Sequence, residues 1–556
     1  MERSGRRSRL SDRYDILFQD ATVYDGAGGP PFRGDVATRD DEIVSVRRTS
    51  DGEGEEEGGG STRPVRTLSL NGKALAPGFI DIHSHSDYSL LINPLAESKV
   101  RQGVTTEVGG NCGYSAAPIG GEAKAERRKL YRERYGLDPD FSDVRAYLDR
   151  LDDSGLSVNY VHQAGHNTIR QSVMGGDDRA PTGAELQSMT AMVERGMSEG
   201  AFGLSTGLVY APACFASPEE TAALAKVAAG RAGLFSVHMR SEGAGLLEAI
   251  EEVLNIARRS GVRLQISHLK TAGQPNWSKI DDAIHLIEQA AKSGIDVACD
   301  RYPYTASNTH LSALLPDWAH EGGKTKTLAR LRDAAHRSRI REAWMERDWD
   351  NVVISLVSRP ESRRFEGRSV SACAALTGRE AAEWAMDLLL AEDLWVEILL
   401  LNLMEESNLR KILRKPYVFI GSDAEARAHY GVLGEGSPHP RGFGTFPRVL
   451  GSLVRGEGLM PLSEAISRMT WLPARRVGIS DRGRVSPGMK ADLVVFDPER
   501  ITDTSTFESP IRYPEGIDFV MVNGELTVED GVHLGVRAGR TLRCADRLAP
   551  NGEETP

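Results

Sequence analysis

Nothing in this chain of 556 residues is long and apolar enough to cross a bilayer. No apolar run approaches the ~18 residues of a membrane helix, and the longest, around Ile398–Met404, is far too short. A basic excess is also missing. Asp and Glu number 79 against 68 Lys and Arg, for a net charge of −11, which argues against a nucleic-acid binder held by a cationic surface. Cysteine is scarce. Cys112, Cys214, Cys299, Cys373 and Cys544 are odd in number and widely scattered, so they form no disulfide framework and fit a reducing cytoplasm. Four of them read as small buried apolar groups. The Arg-rich segment Met1–Tyr14 lacks the apolar core of a secretory signal. What is present is a 40% hydrophobic content, ample for a large core, in a length that suits one large domain with a smaller companion, or two or three domains.

Residues 1–13 and 546–556 read as tails, and Asp51–Thr62 (DGEGEEEGGGST) as a solvated loop between strands. Residues 14–76 carry short strand signals such as Ile16–Phe18 and Ile43–Val46. After Pro77-Gly78 the rhythm changes. Eight short β-like runs recur: Phe79–Ile82, Val104–Val108, Val158–Gln163, Ala201–Thr206, Leu234–Val237, Leu264–Ser267, Asp296–Cys299 and Tyr417–Ile420. Each is followed by a glycine-rich loop or by helical periodicity. Gly243–Ser260, for example, places Leu246, Leu247, Ala249, Ile250, Val253, Leu254 and Ala257 on one face. Eight β-then-α units predict the α/β class and a closed (β/α)8, TIM-like barrel over 77–472. The long gap near 305–415 predicts an insertion of the kind that covers a site. Beyond Leu472, strands in Gly483–Asp497 and Phe519–Val528 are expected to join 14–76 and 473–545 into one small β-sandwich domain.

In such a barrel the chemistry stands at the C-terminal ends of the strands. Run one ends in His83 and His85, which share a face because strand residues i and i+2 point the same way. Run two leads into Gly109-Gly110-Asn111-Cys112-Gly113, run five ends at His238, run six at His268 and run eight at Asp423. Each has an ordinary alternative alone: loop histidines for His83 and His85, core histidines for His238 and His268, a helix cap for Asp423. Six groups of ligand type at five matching strand ends point instead to a metal. Cys112 as thiolate with neutral His238 and His268 makes a three-ligand zinc set with an open fourth position, the pattern of a catalytic centre. Zinc lowers the pKa of a bound water toward ~7, and Asp423 is the candidate base that takes its proton and passes it to a leaving amine.

Several motifs resemble the N-acyl-D-amino-acid deacylases (D-aminoacylases) of the amidohydrolase superfamily. These are His83-Ser84-His85, Gly110-Asn111-Cys112-Gly113, His238-Met239-Arg240-Ser241-Glu242, Ser267-His268-Leu269-Lys270, Asp300-Arg301-Tyr302-Pro303-Tyr304 and Pro438-His439-Pro440-Arg441. The likeness runs from about Tyr14 to Arg543. It implies a barrel with a small β domain, a tight zinc at Cys112, His238 and His268, and a second, weaker metal position at His83, His85 and Asp423 with Cys112 shared. It implies Asp423 as catalytic acid and base, and Lys270, Tyr302 and Arg441 as the grip on a substrate carboxylate. An ammonium, a phenol and a planar guanidinium can hold a carboxylate from several sides; the plainer readings are a core aromatic for Tyr302 and a surface ion pair for Arg441. Relatives that hydrolyse cyclic amides carry a metal-bridging lysine after strand four, whereas Ala201–Tyr210 (AFGLSTGLVY) has none. The family pattern has glycine after the strand-eight aspartate; Ala424 here would be strained if that position needs positive φ.

The expected activity is therefore zinc-dependent hydrolysis of N-acyl-D-amino acids, small-molecule substrates, with no nucleic-acid or membrane partner. The alternatives are hydrolysis of another C–N bond (a D-dipeptide, ureido acid or cyclic imide) and a catalytically silent scaffold. Arg301, Arg363 and Arg364 are the cations available to an acidic substrate side chain.

Overall fold

The computed structural model describes residues 14–49 and 64–544. The tails expected at 1–13 and 546–556 and the acidic loop expected at 51–62 lie outside the described residues.

All eight expected runs are strands of one parallel sheet: Phe79–Asp81, Val104–Gly109, Asn159–Gly165, Gly203–Gly207, Leu234–His238, Arg263–Ile266, Val297–Arg301 and Val418–Ile420, each paired with the next in chain order. Every residue of seven of them is buried, which is why they read as near-continuous apolar runs rather than alternating ones. The first and eighth strands meet just past their ends. Ser84 bridges Ala424 in parallel, the Asp423 amide donates to the His83 carbonyl at 2.8 Å, and the His85 amide donates to the Ala424 carbonyl at 3.2 Å. Barrel closure thus brings His83, His85 and Asp423 onto one seam.

Helices cover the barrel through apolar faces. Leu246–Ser260 buries Leu246, Ala249, Ile250, Val253, Leu254, Ile256 and Ala257. Fully burying each Leu, Ile or Val is worth roughly 1.5–3 kcal/mol before conformational entropy. Between strands seven and eight lies a separate three-stranded antiparallel sheet, with Val396–Leu400 between Ser307–His310 and Val352–Val357. It has its own core, including Leu311, Trp344, Trp349, Ile354 and Trp384.

The two ends of the chain share one nine-stranded sheet. Its central joint is Ala74–Pro77 antiparallel to Leu493–Phe496. Ala74–Pro77 runs through Gly78 directly into the first barrel strand, so this sheet anchors the strand that ends in His83. A Cβ on Gly78 would lie 2.2 Å from Thr105, so only glycine allows that close passage. The C-terminal segment then returns to the barrel, where Thr541–Leu542 pairs with the third strand. Among the described residues, no helix is long and apolar enough to cross a membrane.

Candidate metal centre

Cys112 sits in the turn after the second strand with φ +52°, between Gly110 at +73° and Gly113 at +79°. A Cβ on Gly113 would fall 1.8 Å from the Asn167 carboxamide. The fourth strand holds this turn: Ser205 Oγ accepts the Gly113 amide at 3.0 Å and donates to the Gly110 carbonyl. The glycine-rich motif is therefore a cradle that points one sulfur inward.

That sulfur lies 3.4 Å from His83 Nε2 and 3.5 Å from His268 Nε2. With Zn–S about 2.3 Å and Zn–N about 2.0 Å at a tetrahedral angle, sulfur and nitrogen ligands sit roughly 3.5 Å apart. The donor set thus fits a zinc-sized cation. One ligand atom each from His83, Cys112, His268 and Asp423 lies within 4.8 Å of the others, and all four residues are buried. A second such group, His238, Glu242 and His268, shares His268 with the first. His238 packs edge-on against His268, with ring centroids 4.3 Å apart, and its buried Nδ1 has no hydrogen-bond partner. His85 Nε2 is 3.0 Å from Asp423 Oδ1.

Two carboxylates stand behind the imidazoles, and the motifs of the sequence assign neither a role. Asp300 Oδ1 is 2.8 Å from His83 Nδ1 and accepts the His268 amide at 2.8 Å. Glu242 Oε1 is 2.9 Å from His268 Nδ1. A carboxylate on the far nitrogen fixes ring orientation and leaves Nε2 to face the centre, and here both Nε2 atoms face Cys112. Asp300 at the end of the seventh strand is open to the same strand-end argument as the histidines. Glu242, in the loop after the fifth strand, carries no such signal.

The three residues expected to grip a carboxylate converge. Tyr302 lies against the Arg441 guanidinium at 4.5 Å and that of Arg301 at 4.0 Å. Its buried hydroxyl has no partner, and neither does Arg441 Nε. Arg441 Nη1 is 2.8 Å from Asp423 Oδ2. His439 supports that arginine by accepting its amide at 3.0 Å. Lys270 is already engaged: it donates to Glu242 at 2.5 Å and sits 2.7 Å from His268 Nδ1. Of the three arginines available to acidic side chains, two are engaged away from the centre: Arg363 pairs with Glu435 at 2.7 Å and Arg364 lies over Phe365. Arg301 is buried against Tyr302; one of its nitrogens donates to the Tyr304 carbonyl, while Nε and Nη1 have no hydrogen-bond partner.

Electrostatics separates these groups from the rest of the molecule. Burial pushes the Cys112 thiol up, but His83, His238 and His268 outweigh it and hold it well below the usual thiol range. Burial raises Cys214 to about 12 and Cys373 to about 11. Burial opposes charge on His268 and on Asp423 alike. Even so, Glu242 and Asp423 outweigh it at His268, lifting that imidazole to about 9, and Arg441, His268 and His83 hold Asp423 well below the carboxylate range. At Tyr302 burial is overcome by Arg301, Lys270 and Arg441, which lower the phenol.

Ala424 is not the strained residue. The left-handed backbone falls on Asp423 itself, at φ +51°, and on His268 at +38°. Aspartate tolerates that region better than alanine does, so the missing glycine leaves the turn intact.

The Amidohydrolase family profile matches residues 66–528. The chain is 35% identical to the D-aminoacylase of Alcaligenes xylosoxydans xylosoxydans across 96% of this chain and 98% of that one. It is 34% identical to the N-acyl-D-aspartate deacylase of the same organism, across 98% of each. Among solved structures it is similar to the N-acyl-D-glutamate deacylase of Bordetella bronchiseptica, complexed with zinc and a phosphonate that mimics the tetrahedral intermediate. That likeness has a TM-score of 0.79 and 33% identity over 96% of this chain and 100% of that chain.

Proposed function

The chain belongs to the amidohydrolase family, and from that premise we propose that it is a zinc hydrolase that cleaves N-acyl-D-amino acids to a carboxylate and a free D-amino acid. The observation that carries this reading is the approach of the Cys112 sulfur to His83 Nε2 and His268 Nε2 at the separations zinc ligands keep, with the Asp423 carboxylate in the same group. The relatives' D-amino-acid substrates and the zinc in the D-glutamate deacylase support it.

By the resemblance to the D-aminoacylases, Cys112, His238 and His268 would hold the tight zinc, and His83, His85 and Asp423 a second, weaker position that shares Cys112; His268 belongs to both groups of adjoining ligand atoms, one with His83, Cys112 and Asp423 and one with His238 and Glu242. When bound, the metal supplies a Lewis acid that acidifies water and polarises an amide carbonyl. Tyr302 and Arg441 offer buried, unsatisfied donors to the substrate carboxylate, and Lys270 adds an ammonium once Glu242 shares it. That three-point grip would hold the substrate's carboxylate end beside Asp423, which Arg441 contacts at 2.8 Å. Asp423, ionised beside Arg441, takes a proton from the attacking water. It delivers that proton to the departing nitrogen, so that an amine rather than an amide anion leaves.

Chelation tests the reading. Metal-stripped protein should lose turnover of N-acetyl-D-leucine, D-methionine, D-glutamate and D-aspartate, and zinc should restore it. The L forms should be poor substrates throughout. Turnover indifferent to metal sinks the mechanism.

A further inference from the structure

Behind the seam that joins the first and eighth strands lies a wholly buried ionic cluster that the chemistry above does not use. Lys99, from the short helix Glu97–Val100, is 0% exposed. Its ammonium donates to Asp81 Oδ2 at 2.7 Å, to Ser422 Oγ at 2.8 Å and to the Ala424 carbonyl at 2.8 Å, and it lies 3.2 Å from Glu107 Oε2. Two of these contacts are made to the residues on either side of Asp423. Asp81 completes the frame: its Oδ1 accepts the Ser422 amide at 2.8 Å and the His83 amide at 3.3 Å, and its Oδ2 accepts the Ser422 hydroxyl at 2.5 Å. Ser422 Oγ in turn accepts the Ala424 amide at 3.2 Å.

We propose that Lys99 is a positioning residue for Asp423: it holds the Ser422 hydroxyl on one flank and the Ala424 carbonyl on the other, and so sets where that carboxylate meets His83, His85 and Cys112. This rests on the reading of Asp423 as acid and base. Asp423 occupies the left-handed region, which a non-glycine residue keeps only when its surroundings over-determine it. The surroundings that do so are the Lys99 contacts and the Asp423 amide bond to the His83 carbonyl. The same frame sets the register of the two segments, because Asp81 binds one amide from each. Lys99 never reaches the substrate; it acts through Ser422 and Ala424. A buried alkyl-ammonium suits the task because three rotatable donors can serve a carboxylate, a hydroxyl and a carbonyl at once.

The test uses the full-length zinc-loaded protein with Lys99→Met, Ser422→Ala and Asp423→Asn, and with Arg482→Met as a destabilised reference, since Arg482 forms a buried ion pair with Asp492 at the far end of the barrel. Ser422→Ala keeps the Lys99, Asp81 and Glu107 charges together, so it decides the matter if Lys99→Met does not fold. Displacement of a reacting group by about 1 Å costs on the order of 10²-fold. We therefore expect kcat to drop by roughly 10- to 100-fold in Ser422→Ala and at least as far in Lys99→Met, with KM within about threefold and zinc per folded chain unchanged. Arg482→Met should lose thermal stability while its folded fraction keeps the parental kcat. Folded, zinc-loaded Ser422→Ala with parental kcat beside an inactive Asp423→Asn overturns the positioning role alone. An active Asp423→Asn overturns the acid–base reading and the positioning role with it.

Discussion

Two buried polar clusters stand at opposite ends of the same barrel, and they are built on opposite principles. At the N-terminal end, Asp492 accepts from Asn159 at 3.0 Å, from the Asn523 amide at 2.7 Å and from Arg482; Asn523 gives its side-chain N–H groups to Asn159 at 2.8 Å and to the Ala538 carbonyl at 2.7 Å. The carboxylate and both carboxamides meet complementary partners, and the cluster ties the small sheet to the barrel floor. At the C-terminal end, four imidazoles and a thiol crowd together, His238 Nδ1, Tyr302 Oη and Arg441 Nε stay buried without partners, and Cys112, His268 and Asp423 sit at positive φ. Each strained backbone position of this kind costs about 1–3 kcal/mol, and each unsatisfied buried donor costs roughly 1–3 kcal/mol more. At the floor the carboxylate is matched by cation and amides, which serves stability, and Arg482 Nε alone of these groups lacks a hydrogen-bond partner; at the mouth several unsatisfied donors are gathered at the end of the barrel where active sites stand.

The contrast can be broken most decisively at the mouth. Asp423→Asn should lower kcat by about 10²–10⁴-fold, the usual worth of general acid–base catalysis, with the thermal midpoint at or above the parental value. Steady-state rates beside a thermal melt decide this, and a melt that collapses with the rate puts Asp423 among the structural residues. At the floor the effects should exchange. Arg482→Met leaves the Asp492 carboxylate buried without its cation and should cost about 3–5 kcal/mol of stability, read from denaturant unfolding, while kcat per folded molecule stays put.

The smallest effect is chemical and depends on pH. Thiolates react and thiols do not. In metal-stripped protein at pH 7.5, Cys112, held well below the usual thiol range, should alkylate first, whereas Cys214 and Cys373, raised to about 12 and about 11, should stay protonated and unlabelled. Raising the pH converts the latter two to thiolate only as it approaches those values, and zinc should protect Cys112. Peptide mass mapping reads the order of labelling, and labelling of Cys214 ahead of Cys112 contradicts the electrostatic picture of the mouth.

Much of the fold and of the mouth is legible in the amino-acid sequence. Strands buried on both faces must be short apolar runs, so all eight can be located, and a barrel has one chemically active rim, so their C-terminal ends can be searched for ligands. That search finds the candidates His83, His85, Cys112, His238, His268 and Asp423, and the fold gathers His83, Cys112, His268 and Asp423 into one group and His238 with His268 into another. Asp300 stands at such an end too, but a lone acid there has many structural explanations and does not declare itself. Glu242 escapes this search because it stands in a loop beyond the strand end, and Lys99 because its meaning lies in partners far along the chain; Lys99 and Ser422 are 323 residues apart. The condition for strain at Ala424, a positive φ there, is not met; the positive φ falls one residue earlier, on Asp423.

The sequence by itself determined the periodicities, hence the barrel, and the kinds of chemical group at its rim, because side-chain type and strand polarity are local properties. Only the tertiary structure decided which nitrogen of His83 and His268 faces the sulfur, that Arg441 pairs with Asp423, and that a buried lysine grips both flanks of that aspartate. Those outcomes follow from closing the first strand against the eighth, and closure is a long-range event whose geometry no window of neighbouring residues contains.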